Sequence, residues 1–309
     1  MHAMINYPHI ASMVFNTPLY ATPTLVQAVR NVLEPRLLGR ANDLPQSLGM
    51  DSGSGDDREM QRLQVSGRIA VIPVHGVLVA RRGHITAACE ELLSYERLRS
   101  QITAALKHEM VEEIALDFHT GGGHAKELAD FIRASTAIKP ITAIVNFAAY
   151  SAGYYLASAC SRIVASPTAG VGSVGVIIET YEVSRMEQEM GITFNTYYRG
   201  DHKNNGSPHE PITDQAVQEI NTMLDGAYGE FTESVASFRG LDVSTIVDTQ
   251  ARLFRPKEAL ALKLIDEIAP AQDAIDTIAQ RYTSNTGATP RNNRSIRAQA
   301  RALDTSCQL

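Results

Sequence analysis

Between residues 67 and 269 the chain alternates short apolar runs with stretches of helical periodicity. The runs are IAVIPV, IALDF, ITAIVN, RIVAS, SVGVII and ITFNTYY. Each has strand length, and most are separated by patterns that place apolar residues three or four apart. That alternation predicts an α/β fold with a largely parallel sheet and flanking helices. A longer amphipathic stretch follows, in which Val217, Ile220, Leu224, Ala227, Phe231, Val235 and Phe238 fall on one stripe. It predicts a helix over about 214–238, with Thr213 or Asp214 available as its cap. The stripe suits either a core-facing helix or a subunit contact. FRPKEALALKLIDEIA (254–269) adds a short helix and strand.

The flanks read differently. TPTLVQAVRNVLEPRLL (22–38) has helical spacing after a threonine able to cap it. NDLPQSLGMDSGSGDDREMQ (42–61) is rich in Ser, Gly and Asp, as a mobile linker is. The last segment is polar and Arg-rich, a composition that favours disorder. Three regions result: an N-terminal helical segment and linker (1–65), a core domain (66–282) and a polar tail (283–309).

Composition narrows the classes. With 44% hydrophobic and 20% charged residues in 309, the chain has enough apolar content for a large core. A net charge of −6 argues against coating nucleic acid. Cys89, Cys160 and Cys307 are widely spaced, which suits a reducing compartment better than a disulfide framework or zinc. No signal peptide is expected. The long uncharged stretch from Pro140 to Ser161 includes Asn146, Ser151 and Gly153, and reads as a buried strand and helix rather than a membrane span.

Within that stretch lies the candidate chemistry. Ser151, in FAAYSAGYYLAS (147–158), stands where a strand gives way to a helix, so a tight turn can present its hydroxyl. Taken alone, Ser-Ala-Gly also suits a close helix–strand contact. IALDFHTGGGHAKE (114–127) ends a strand in a glycine turn able to cradle an anion. TAGVGSVGVII (168–178) places Ser173 among small residues, and Lys203 lies in YYRGDHKNNGSPHEP (197–211). His119, His124, His202 and His209 lack metal-ligand spacing, and neither His119 nor His202 is needed as a base.

Together YSAGYYLAS, VGSVGV, the glycine turn and a lysine at 203 resemble the signal peptide peptidase A family of serine–lysine proteases. PHIASMVFNTPLY (8–20) and GDHKNNGSPHEP are similar to segments of the lambda-type phage head maturation proteases. The resemblance implies a Clp protease/crotonase-like fold. It implies Ser151 as nucleophile, Lys203 as general base, Ser173 holding the amine, and an oxyanion hole from the Gly122 and Ala152 amides. It implies no cofactor and no metal. It also implies a homo-oligomer acting on scaffold, portal and coat proteins within the procapsid in the host cytoplasm, while the charge and the uncharged stretch argue against nucleic acid and membrane as partners. The family's usual turn is Ser/Thr-Pro-Gly-Gly, whereas this chain has Thr120-Gly121-Gly122-Gly123, and loses the φ that proline fixes.

A free lysine is neutral in roughly one molecule in two thousand at pH 7, so a lysine base requires desolvation. Three other readings stand beside this one. One is a host signal-peptide-peptidase-like protease, the second an acyl-CoA enzyme of the same fold, and the third a non-catalytic assembly or scaffold protein.

Overall fold

A computed structural model describes residues 16–27, 30, 63–81, 92–124 and 128–283. The helix expected over 22–38 is seen only at 23–27 and 30, and the linker at 42–61 and the tail beyond 283 lie outside the described residues.

The expected α/β class with a largely parallel sheet is what the chain adopts. Its strands are β1 (Tyr20–Ala21), β2 (Gln64–Ser66), β3 (Ile69–Val79), β4 (Leu93–Ser94), β5 (Glu113–Gly123), β6 (Ile141–Tyr150), β7 (Arg162–Ala165), β8 (Gly170–Gly172), β9 (Leu253–Phe254) and β10 (Glu267–Ile268). The main path runs β10-β7-β6-β5-β3-β2, parallel except for the β2–β3 hairpin. β5 and β6 are nearly continuously apolar over their first halves because both their faces are covered.

The helices are α1 (Tyr95–Lys107), α2 (Leu128–Ser135), α3 (Ala152–Ser158), α4 (Ser184–Glu189), α5 (Asp214–Arg239), α6 (Val243–Val247), α7 (Pro256–Ala261) and α8 (Ala271–Thr283). The larger core joins Leu98 and Ile102 of α1, Ile132 of α2, Tyr154 and Leu156 of α3, and Phe231 and Val235 of α5 to the sheet. On a second patch, Ala274 and Ile278 of α8 cover Ile69, Ala115, Ile144 and Val164. α8 is latched there by a buried carboxylate. Glu113 accepts hydrogen bonds from Thr142 at 2.6 Å, from the Tyr282 hydroxyl at 2.9 Å and from Arg281 at 3.5 Å. Burial beside Glu113 pushes the Tyr282 hydroxyl up to about 12.

Two of the expected strands differ. SVGVII contributes only a single bridge, Ile177 with Leu19, while the strand itself falls just upstream at β8. ITFNTYY (192–198) forms no strand and is exposed throughout. Among the described residues no neighbouring edge pairs with it. The uncharged stretch from Pro140 divides into β6 and α3. Among the described residues no helix is long and apolar enough to cross a membrane.

Candidate active site

The top of β6 is where the site is built. Along its first half β6 pairs with β7, and from Ala148 to Tyr150 it pairs with β8 instead. The chain then turns sharply. Ser151 has φ 52° and ψ −116°, a left-handed conformation rarely adopted by a residue with a side chain. Its N–H donates to the Gly172 carbonyl at 2.8 Å, and its carbonyl accepts from Tyr155 N–H at 2.8 Å, the first bond of α3. A strained serine between a strand and a helix has the geometry of a nucleophile elbow.

Ala152 and Gly153 have reasons of their own. A Cβ on Gly153 would lie 2.4 Å from Thr120 Cγ2, so glycine is what lets α3 sit against β5. The packing reading of Ser-Ala-Gly is therefore correct for the glycine, and it is what fixes the turn that shapes Ser151. On the other side of the turn, Gly122 has φ 108°. A Cβ there would lie 3.1 Å from both Ala152 N and Ser151 Cβ, so Gly122 and Ala152 meet beside the serine. Thr120 braces this corner: its hydroxyl donates to the Gly76 carbonyl at 2.5 Å and accepts from Gly122 N–H at 3.0 Å.

Ser173 follows β8 with φ 57° and is buried. Its N–H donates to the Arg252 carbonyl at 3.0 Å. Two residues on, the Gly175 carbonyl faces Ser151 Oγ at 3.5 Å, a long contact. Ser151, Ala152, Gly122 and the Ser173 segment thus share one buried corner.

Lys203 is elsewhere. It lies on an exposed run of turns, and its N–H donates to the Gly200 carbonyl at 3.0 Å. Among the described residues no hydrogen bond joins it to Ser151 or Ser173. The turn is pinned to α5 instead. His202 and Asn205 both bond Glu219, and Gln215 donates to the Asp201 carbonyl at 3.0 Å. Hydrogen bonds from Asn205 and then His202 hold the Glu219 carboxyl below its ordinary range. His209 pairs with Glu187, and among the described residues no His, Cys, Asp and Glu cluster could hold a metal.

Residues 133–284, which include the elbow, Ser173 and Lys203, match the model of Peptidase family S49. They are an S49 peptidase region. The chain is 32% identical over 288 residues to capsid assembly protease C of Escherichia phage lambda, covering 87% of this chain and 65% of that protein. It is 29% identical over 294 residues to head-tail preconnector protein GP5 of Enterobacteria phage P21, covering 91% of this chain and 58% of that protein. The chain therefore spans less than two thirds of either relative. Among solved structures, a ClpP1 mutant from Listeria monocytogenes aligns over 66% of this chain and 94% of its own, at 14% identity and a TM-score of 0.40.

Leu19, Tyr20 and Tyr155 fall within motifs quoted for the resemblance, but sequence reasoning gave residues 19–22 and Tyr155 no place beside Ser151. The apolar triplet Leu19-Tyr20-Ala21 was the available signal, but an isolated triplet names no partner.

Proposed function

We propose that this chain is a serine endopeptidase with Ser151 as nucleophile, processing scaffold, portal and coat proteins inside a phage procapsid in the host cytoplasm. The observation that carries the reading is the strained Ser151 turn facing Gly122 and Ala152. Ser151 Oγ attacks a peptide carbonyl and passes its proton to the Lys203 amine, which Ser173 holds. The carbonyl oxygen gains charge between the Gly122 and Ala152 amides, the Gly122 N–H exchanging its Thr120 hydroxyl partner for the oxyanion, and each such donor lowers the barrier by about 3–4 kcal/mol. The leaving amine takes the proton from Lys203, and water then hydrolyses the acyl-enzyme.

A lysine is a useful base only where desolvation favours the neutral amine, and Lys203 is exposed in the single chain. The reading therefore includes a homo-oligomer that covers the Lys203 turn. Support comes from the surface around it. Ile192, Phe194, Tyr197 and Tyr198 are exposed in a segment with strand alternation but no strand partner, and Ile212, Val217 and Met223 are exposed nearby in sequence. Large apolar side chains exposed together in one stretch of chain suit an interface. The two phage relatives carry capsid and head–tail roles in their names, which supports procapsid proteins as the substrates.

The test is labelling with a serine-directed fluorophosphonate, followed by mapping of the modified residue. A label on Ser151 that disappears in Ser151→Ala is expected. Unlabelled protein that still assembles would leave a scaffold role in its place.

A further inference from the structure

The cleft beside Ser151 has two edges, the end of β5 and the segment after β8, and a strand of the same chain already lies between them. Tyr20 and Ala21 pair antiparallel with Gly123 and Gly122, and Thr22 N–H donates to the Gly121 carbonyl at 3.1 Å. On the other edge, Leu19 N–H donates to Ile177 at 2.9 Å and Ile177 N–H returns the bond at 3.0 Å. Asn16 N–H reaches the Glu179 carbonyl at 2.9 Å. Ala21 faces Gly122, and the Leu19–Ile177 register carries it level with Gly175, whose carbonyl Ser151 Oγ contacts. The strand thus crosses beside the nucleophile. The place a Cβ would take on Gly122 is 2.2 Å from the Tyr20 carbonyl oxygen and 3.1 Å from both Ala152 N and Ser151 Cβ.

The side chains alternate as those of a bound peptide do. Tyr20 enters a pocket in which its ring stacks on Phe231 at 4.3 Å and meets the edge of Tyr155 at 5.8 Å. Its hydroxyl donates to the Ala227 carbonyl at 2.7 Å. Tyr155 stands on α3, the helix that begins at Ser151, so the pocket and the nucleophile share one element. Leu19 and Ala21 pack with Val26 in a separate small cluster. An added strand that gains affinity from its backbone and selectivity from alternate side-chain pockets is a general mode of peptide recognition. While residues 19–22 are in place, Gly123 and Ile177 have no backbone groups left for another peptide. Turnover requires the strand to leave.

We propose that residues 16–22 are a built-in occupant of the substrate cleft, which blocks Ser151 and mimics the peptides the enzyme takes. Those peptides bind extended, with a large aromatic side chain in the Tyr155–Phe231 pocket. The blocking half rests on the reading of Ser151 as nucleophile. The start of the strand adjoins the lysine turn, since a Cβ on Gly206 would lie 3.3 Å from Asn16 Oδ1.

The test compares fluorophosphonate labelling of Ser151 in the full chain and in Tyr20→Ala. Labelling about tenfold faster in Tyr20→Ala is expected, the factor for a cleft open in about a tenth of molecules. A synthetic peptide copying residues 14–24 should slow it again. Amide hydrogen exchange on the unmodified protein supplies a second measurement, should Tyr20→Ala fail to fold. Leu19 and Tyr20 amides should exchange much faster than those of Ile114 and Ala143, because the strand opens without the core. Equal labelling rates, or strand amides as protected as the core, would overturn the proposal and make the strand a fixed wall. No labelling of either protein would instead remove Ser151 as nucleophile, and the exchange rates would still decide whether the strand is an occupant.

Discussion

Ser151 and Lys203 sit in opposite kinds of structure. The serine is wedged between a central strand and a helix that is buried along its whole length, and its own N–H and carbonyl are bonded to Gly172 and Tyr155. The lysine rides on exposed turns tied to the outer half of α5 and, further along, to Val183 and Glu187. That helix divides in the same way: Phe231, Thr232, Val235 and Ala236 dock on the core, while of the residues from Asp214 to Glu230 only Ala216 is buried. A single chain can impose strain on Ser151 because its packing over-determines the turn. Among the described residues nothing covers Lys203. On the proposed reading, folding alone shapes the nucleophile, whereas the base awaits assembly.

The largest effects should come from removing either residue. Ser151→Ala and Lys203→Ala are each expected to lower cleavage of a co-expressed capsid substrate by on the order of 10⁴-fold or more, with the double variant no worse. If assembly brings the two together from neighbouring subunits, mixing the single variants should restore about a quarter of the activity by random pairing. Full activity in a stable monomer would break the contrast.

Gly122→Val tests the buried half. Its Cβ has no room between the Tyr20 carbonyl, Ala152 N and Ser151 Cβ, and φ is 108°. A loss of about 10²-fold or more in acylation is expected, comparable to losing an oxyanion donor. Gly153→Val should chiefly cost stability, by about 1–3 kcal/mol through overpacking against Thr120, seen as a lower Tm. The exposed half should respond in the other sense. Phe194→Ser with Tyr197→Ser should leave the monomer's Tm within a degree or two while lowering the oligomer fraction in sedimentation. A fall in Tm as large as that of Gly153→Val would show that the arm is part of the core.

The smallest effect concerns pH. The Glu219 carboxyl lies below its ordinary value of 4.5 because Asn205 and His202 bond it. A depressed carboxylate contributes fully above that value and loses its contribution as pH falls below it. The Lys203 turn should therefore loosen only in acid, and Glu219→Gln should abolish that transition when exchange is followed across pH 3–6.

The sheet was legible because its strands are buried on both faces, and continuous apolar runs are hard to mistake. β3, β5, β6 and β7 fall where IAVIPV, IALDF, ITAIVN and RIVAS predict them. The long helix was legible for the same reason, with Thr213 rather than Asp214 as its cap. α8 was not singled out, although Ala274 and Ile278 have the helical spacing of a covering element. ITFNTYY has the pattern of a strand without the neighbour that would make it one. The corner of Ser151, Ala152 and Gly122 could be read from motif and spacing. The strand at 19–22 could not, since what joins it to Gly122–Gly123 and Ile177 is backbone hydrogen bonding, which leaves almost no mark in sequence.

The latch at Glu113 has a consequence of distance. Thr142, which bonds Glu113, and Ser151 lie at opposite ends of β6, separated by about 30 Å at roughly 3.3 Å per residue. Because Tyr282 is held at the far end, any chain continuing past Thr283 sets out from the end of the sheet remote from Ser151. Extended peptide covers at most about 3.5 Å per residue, so roughly the first half-dozen positions after Thr283 are out of reach of their own Ser151. Cuts in that stretch would have to be made by a different molecule, and their rate would rise with protein concentration.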